Sequence, residues 1–182
     1  MYINKSICKK CQGQCCKLSG CMLSTRNVKG DMKTELEKLI KNKDICIYKI
    51  SFNCFMIFCF GPFIENLFLP SEVKVDVDRA QKLRIHDDIF LVKIRSIKQE
   101  VFYTLDNCNE IDYISNSGPC IHLREEGCKY SDTERPYGGL SLKPDERGIK
   151  YCKSDFNVLD AALEWFEYHS VLEEFFNKYN NS

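Results

Sequence analysis

The segment Cys-Lys-Lys-Cys-Gln-Gly-Gln-Cys-Cys, residues 8–16, puts four cysteines into nine residues. Thiols at that density either oxidise or bind something. Their neighbours, Lys9, Lys10, Gln12, Gln14 and Lys17, are polar, so these sulfurs do not read as small buried hydrophobes. Cys8 and Cys11 have the C-x2-C spacing that lets a tight turn aim two thiolates at one ion. Cys15 and Cys16 are adjacent, and neighbouring side chains in extended chain point to opposite faces. The doublet therefore suits two centres, one sulfur completing the site begun by Cys8 and Cys11 and the other facing a second group of thiols. A thioredoxin-type redox pair needs a βαβ context, and none precedes Cys8.

That second group lies far downstream. Cys21 follows the cluster directly, and Cys120, Cys128 and Cys152 occur in a Gly- and Pro-rich zone, residues 115–153. Linking the two zones through metal closes a loop of roughly a hundred residues, which restricts the unfolded chain strongly. Cys8, Cys11, Cys15, Cys16, Cys21, Cys120, Cys128 and Cys152 are the candidate ligands. The other four of the 12 cysteines, Cys46, Cys54, Cys59 and Cys108, sit in apolar or strand-like sequence without ligand spacing and are expected as buried free thiols.

Compartment decides between oxidation and metal. The N-terminal residues MYINKSICKK contain no apolar run of the signal-peptide kind, so a reducing cytoplasm is expected, where structural disulfides are rare. Cysteine-rich sequence in such a compartment points to metal. The most apolar stretch, residues 54–70, is interrupted by Gly61, Pro62, Glu65 and Asn66. It falls short of the roughly 20 uninterrupted residues that span a bilayer and reads as a buried hairpin or strand pair. Lys+Arg and Asp+Glu both number 26, so no basic surplus supports a nucleic-acid footprint.

The remaining pattern predicts one domain over residues 1–182, of the α+β class: a short β-sheet, metal-stapled cysteine loops and a C-terminal amphipathic helix. Residues 31–42 read as a short helix capped by Asp31, with Leu36, Leu39 and Ile40 on one stripe. Residues 45–114 are rich in β-branched and aromatic residues and predict three to five strands, the run Glu72–Val77 among them. The last 28 residues repeat apolar positions at three- and four-residue steps, capped by Asp155 or Ser154. Their aromatic stripe of Trp165, Phe166, Phe175 and Phe176 is broad enough to bury a protein partner. His169 on that helix is expected as a boundary histidine with one hydrogen bond, and His86 as a turn residue without a role.

The cysteine run, followed by "GPCIHLREEGC", "ERP" and a later cysteine, resembles the YkgJ-like cysteine-cluster family, described as a zinc- or iron-chelating domain. The matching residues are Cys8, Cys11, Cys15 and Cys16, then Cys120, Leu123, Gly127 and Cys128, then Arg135 and Pro136. Three residues separate Cys11 from Cys15 where the family pattern has two. The cysteine expected close behind Arg-Pro is absent, and Cys152 is its substitute. The resemblance implies a metal-binding protein that chelates zinc or iron, with an iron–sulfur cluster among the options. Thiolate ligands without carboxylate partners argue against Mg²⁺ or Ca²⁺. Arg135, Lys129 and Arg124 are the candidate cations to offset the negative charge of a thiolate site. The rival classes are an Fe–S redox or protein-modifying enzyme and a zinc-stapled protein-interaction module.

Overall fold

A computed structural model describes residues 16–17, 20–64, 70–108, 117–125, 127–130, 135–143 and 153–180. Helix α1, Met32–Lys41, starts where expected because the Asp31 carboxylate accepts from the Thr34 N–H at 2.9 Å, satisfying a donor that the first helical turn leaves unpaired. Leu36 and Ile40, four residues apart, are its buried face. Lys43, in the turn beyond it, takes a left-handed φ of 56°, and the chain enters β1, Ile45–Ser51.

Strand β1 is the centre of a three-stranded sheet of order β2–β1–β3. It pairs antiparallel with β2, Asp88–Ile94, from Ile45 opposite Ile94 to Ser51 opposite Asp88. It pairs parallel with β3, Phe102–Leu105. Both faces are covered, so β1 and β2 are almost continuously apolar rather than alternating. Cys46, Tyr48, Ile50, Ile89, Leu91 and Leu105 form one face. Helices α2, Phe52–Ile64, and α3, Ser71–Ala80, lie on that side and contribute Phe55, Phe60 and Ala80 to the same core. The opposite face, with Ile45, Ile47, Phe90 and Val92, meets α1 and the C-terminal segment.

Two expectations of strand are overturned. The stretch from residue 54 enters a helix, not a hairpin: a run that is apolar throughout has no period to separate strand from buried helix, and its length favours helix. Residues 72–77 are also helical. Val73 and Val77, four apart, pack on the core while Val75 is exposed; Pro70 and Glu72 begin the helix, and packing overrides the β-propensity of valine. Three strands remain in the main sheet, at the low end of the expected range.

The C-terminal helix is two helices, α4, Val158–Phe166, and α5, His169–Asn180. Its cap is neither Asp155 nor Ser154 but Asn157, which accepts from the Asp160 N–H while Asp160 accepts from the Asn157 N–H, each at 3.0 Å, a reciprocal capping box. Trp165, Phe175 and Phe176 are buried in the chain's own core and Phe166 packs against it. The aromatic stripe is thus spent internally. Trp165, 1% exposed, donates its indole N–H to the Leu23 carbonyl at 2.7 Å.

The second cysteine zone is not all loop. Strand β4, Leu123–Arg124, pairs with β5, Gly127–Cys128, and β6, Leu142–Lys143, pairs with β7, Lys153–Ser154. A single helical turn, Tyr137–Leu140, lies between the two ribbons. The description α+β with a small sheet holds. Among the described residues, no helix is long and apolar enough to cross a membrane.

Candidate functional site

The C-terminal end of β2 collects segments from both ends of the sequence. On its outer edge the Leu23 N–H donates to the Val92 carbonyl and the Ile94 N–H to the Cys21 carbonyl, both at 2.9 Å. Just beyond, Ser96 bridges Cys120, the Ile97 N–H donates to the Pro119 carbonyl at 2.8 Å, and the Ile121 N–H donates to the Arg95 carbonyl at 3.1 Å. The Cys120 N–H then donates to the Cys16 carbonyl at 2.7 Å. Cys128 joins them because the β4–β5 ribbon sets it opposite Leu123.

Two glycines permit this convergence. A Cβ on Gly20 would stand 1.8 Å from the Ile94 carbonyl oxygen, and one on Gly138 would stand 2.3 Å from the Met22 carbonyl oxygen. Backbone meets backbone at both places, so only glycine fits. Next to the second contact, a Cβ on Gly139 would stand 3.3 Å from the Arg135 side chain and 3.5 Å from the Cys21 sulfur. The Arg-Pro-Tyr-Gly-Gly turn therefore seats Arg135 and Cys21 together. Of the expected charge-offsetting cations, Arg135 is the one at the thiols. Arg124 is exposed and donates to the Ile121 and Leu123 carbonyls at 3.1 Å, and Lys129 lies over the Tyr130 ring.

Cys21, Cys120 and Cys128 interact electrostatically with one another. Part of Cys21 reaches the surface, but its sulfur is enclosed. Burial, reinforced by Cys120 and Cys128, pushes its thiol up to about 12, against the pull of Lys93. Burial also raises Cys120. These are protonated thiols that a thiophilic cation would have to deprotonate on binding. Thiols are the soft donors that zinc and iron take in chemistry. Among the described residues, however, no group of three or more His, Cys, Asp or Glu side chains is arranged to hold a metal ion. Cys8, Cys11, Cys15 and Cys152 lie outside the described residues, and with them the test of the Cys15–Cys16 doublet.

Sequence reasoning missed Lys93. It is 3% exposed, midway between Met22 on one side and Cys46 on the other. Burial brings its ammonium down to about 8, opposed by Cys46, Cys21 and Cys120. The signal was present: a lone lysine inside the apolar run Ile89–Ile94 has nowhere to go once both sheet faces are covered. Beside it a buried polar network closes the end of the sheet. The Cys46 thiol donates to the Gln99 carbonyl oxygen at 3.5 Å, the Ser96 N–H donates to the same oxygen at 2.8 Å, and Gln99 in turn donates to the Tyr48 hydroxyl.

The other expectations resolve separately. Cys54 and Cys108, expected as free thiols, form a disulfide between α2 and the residues after β3. The physical reason is that α2 starts immediately beside β1 while Cys108 follows its parallel neighbour β3, which brings their Cα atoms to 4.9 Å. Cys46 is a free buried thiol, and Cys59 is free and partly buried. His169 meets the Asp88 carbonyl at 3.1 Å, the single bond expected of it, and its ring stacks on His86 with centroids 3.7 Å apart. His122 is buried against Tyr130, 3.3 Å from its hydroxyl, and 4.0 Å from the Asp44 carboxylate.

Comparison of the chain with family models, with curated proteins and with solved structures finds no match.

Proposed function

We propose that this chain is a metal-binding protein in which zinc or iron, as single ions or as an iron–sulfur cluster, joins the two cysteine zones. The ligands would be Cys16, Cys21, Cys120 and Cys128 together with Cys8, Cys11, Cys15 and Cys152. The observation that carries this reading is the 2.7 Å bond from the Cys120 N–H to the Cys16 carbonyl. It ties the N-terminal cluster to the distal zone at the point where Cys21 and Cys128 also gather. The resemblance to the YkgJ-like cysteine-cluster family adds to it, since Arg135 and the glycines behind it pack on Cys21. When bound, the metal would supply a cross-link between segments that the backbone brings together by a few hydrogen bonds.

The protein's own contribution is to bury Cys120 and to seat Cys21 beside Arg135. Purification without oxygen followed by elemental analysis tests the proposal. Stoichiometric zinc or iron is expected, and colour separates the options, because a brown protein absorbing near about 400 nm signals an iron–sulfur cluster. Structural zinc contributes on the order of 10 kcal/mol to folding, comparable with the whole stability of a domain, about 5–15 kcal/mol. A strong chelator should therefore lower the melting temperature sharply. A chain that carries no zinc or iron, or whose melting is indifferent to the chelator, overturns the reading.

A further inference from the structure

The Cys54–Cys108 disulfide joins the ends of two neighbouring parallel strands. Strand β1 stops at Ser51 and α2 begins at once, so Cys54 stands in the first turn of that helix, its N–H donating to the Ser51 hydroxyl at 3.4 Å. Cys108 comes just after β3, the parallel partner of β1. The two residues are not equivalent. Cys54 is 4% exposed and belongs to the core with Phe55 and Leu105. Cys108 is only partly buried against that core and follows two exposed residues, Asp106 and Asn107.

A thiolate that opens a disulfide meets one sulfur in line with the S–S bond, on the side away from the sulfur it displaces, and access decides which one is attacked. Attack on Cys54 would have to come from its buried side, whereas attack on Cys108 comes from the half-exposed side. Cys54 is then the sulfur displaced. It departs into the first turn of a 13-residue helix, where unpaired N–H groups and the helix dipole favour negative charge and offset part of the cost of its enclosure. The Asp106 carbonyl, 4.0 Å from that sulfur, is placed to accept its proton once it is a thiol. No internal competitor comes from the same helix: burial first and the Asp76 carboxylate second push the Cys59 thiol up to about 12, so it stays protonated.

We infer that Cys54–Cys108 is a thiol–disulfide exchange site for low-molecular-weight thiols, with Cys108 the attacked sulfur and Cys54 the leaving one. In the first step the small thiolate bonds to the Cys108 sulfur, the S–S bond breaks and its electron pair leaves on Cys54. A second small thiolate attacks the small-thiol sulfur of that mixed disulfide, and the electron pair leaves on Cys108. Two small thiols are thereby oxidised to one disulfide, the protein pair is reduced to two thiols, and the two protons given up by the small thiols go to Cys54 and Cys108. The inference is independent of the metal-binding reading above.

The wild-type chain is held in reduced glutathione at increasing urea below its unfolding transition. Loss of the Cys54–Cys108 linkage is timed by alkylation and peptide mass spectrometry. Exchange from the folded state should change less than about twofold over that range, whereas a linkage reached only through unfolding should open roughly 5- to 100-fold faster per molar urea. The second result, or a linkage that survives untouched in the folded chain, overturns the site. So does a wild type in which Cys54 and Cys108 are both alkylated before any thiol is added. Two variants in oxidised glutathione test the direction. Cys54→Ser should take up glutathione at Cys108 at least about tenfold faster than Cys108→Ser takes it up at Cys54; equal or reversed rates overturn the assignment of the two sulfurs. Where a variant does not fold, the wild-type urea series decides.

Discussion

Replacing Gly20 by alanine tests whether the cysteine-bearing N-terminal segment is truly part of the sheet. The added methyl would sit 1.8 Å from the Ile94 carbonyl oxygen and 2.7 Å from its carbon, where ordinary contact begins at about 3.4 Å. Both atoms are backbone in or next to β2, so no side-chain rotation relieves the overlap. The segment must lift away from the strand. Three hydrogen bonds are then at stake: Gly20 N–H to the Ser96 hydroxyl at 3.0 Å, Ile94 N–H to the Cys21 carbonyl at 2.9 Å and Leu23 N–H to the Val92 carbonyl at 2.9 Å. At roughly 1 kcal/mol net each, their loss amounts to about 3 kcal/mol. For a chain of this size that lowers the melting temperature by about 6–12 °C. Trp165 is the only tryptophan, and its indole bonds to Leu23 in the same segment. Urea unfolding followed by its fluorescence therefore reports the change directly. A loss below about 0.5 kcal/mol, with an unaltered native emission maximum, refutes the docking of residues 20–23 along β2.

Acid should weaken the docking of α5. His169 is held below its ordinary value by burial first and by the neighbouring His86 ring second, with the Asp88 carbonyl, Glu173 and the Asp88 carboxylate pulling the other way; Asp88 is itself paired to Lys49 at 2.9 Å. A histidine with a depressed folded-state value contributes stability that is complete above its unfolded value, about 6.5, and declines as pH falls through the folded one. Unfolding free energy should thus drop as pH falls below about 6.5, and His169→Phe should flatten part of that slope; an unchanged slope in the variant refutes the assignment. The Cys54–Cys108 disulfide closes a separation of 54 residues, worth up to about 4 kcal/mol from loop entropy. Reduction, or Cys54→Ser with Cys108→Ser, should cost a substantial part of that in urea unfolding, and equal stability of the oxidised and reduced chains would show that the pair does not constrain the fold.

How much of this architecture was legible depends on whether local and tertiary signals agreed. Helix α1 and strands β1, β2 and β3 were readable because cap, period and burial all pointed one way: Asp31 caps, and Leu36 and Ile40 recur at helical spacing. Helices α2 and α3 were not. Residues 52–64 carry no amphipathic period, and Val73, Val75 and Val77 alternate as a strand would, so only packing against the sheet distinguishes them. The break at Glu167–Tyr168, between α4 and α5, lay inside a continuous apolar rhythm that gives no breaker residue. Pairing Cys54 with Cys108 required the parallel β1–β3 register, a long-range fact invisible to spacing.

The site divides along the same line. Cys16, Cys21, Cys120 and Cys128 were identifiable as thiols of interest by density and motif, but their meeting place was not, because it is made by an edge of β2 that no local pattern announces. Once Met22 bridges Lys93 and Ser96 bridges Cys120, the two cysteine zones become neighbours through a strand belonging to neither. That geometry also explains why glycines behind Arg135 matter: Gly138 must let Met22 pass at backbone distance before Arg135 can reach Cys21. The sheet edge is therefore the physical link between fold and chemistry. A change that loosens residues 20–23 should disturb the thiols even when it touches no sulfur, whereas a change on the far face of the sheet, at Phe55 or Leu105, should lower stability and leave the thiol environment as it was.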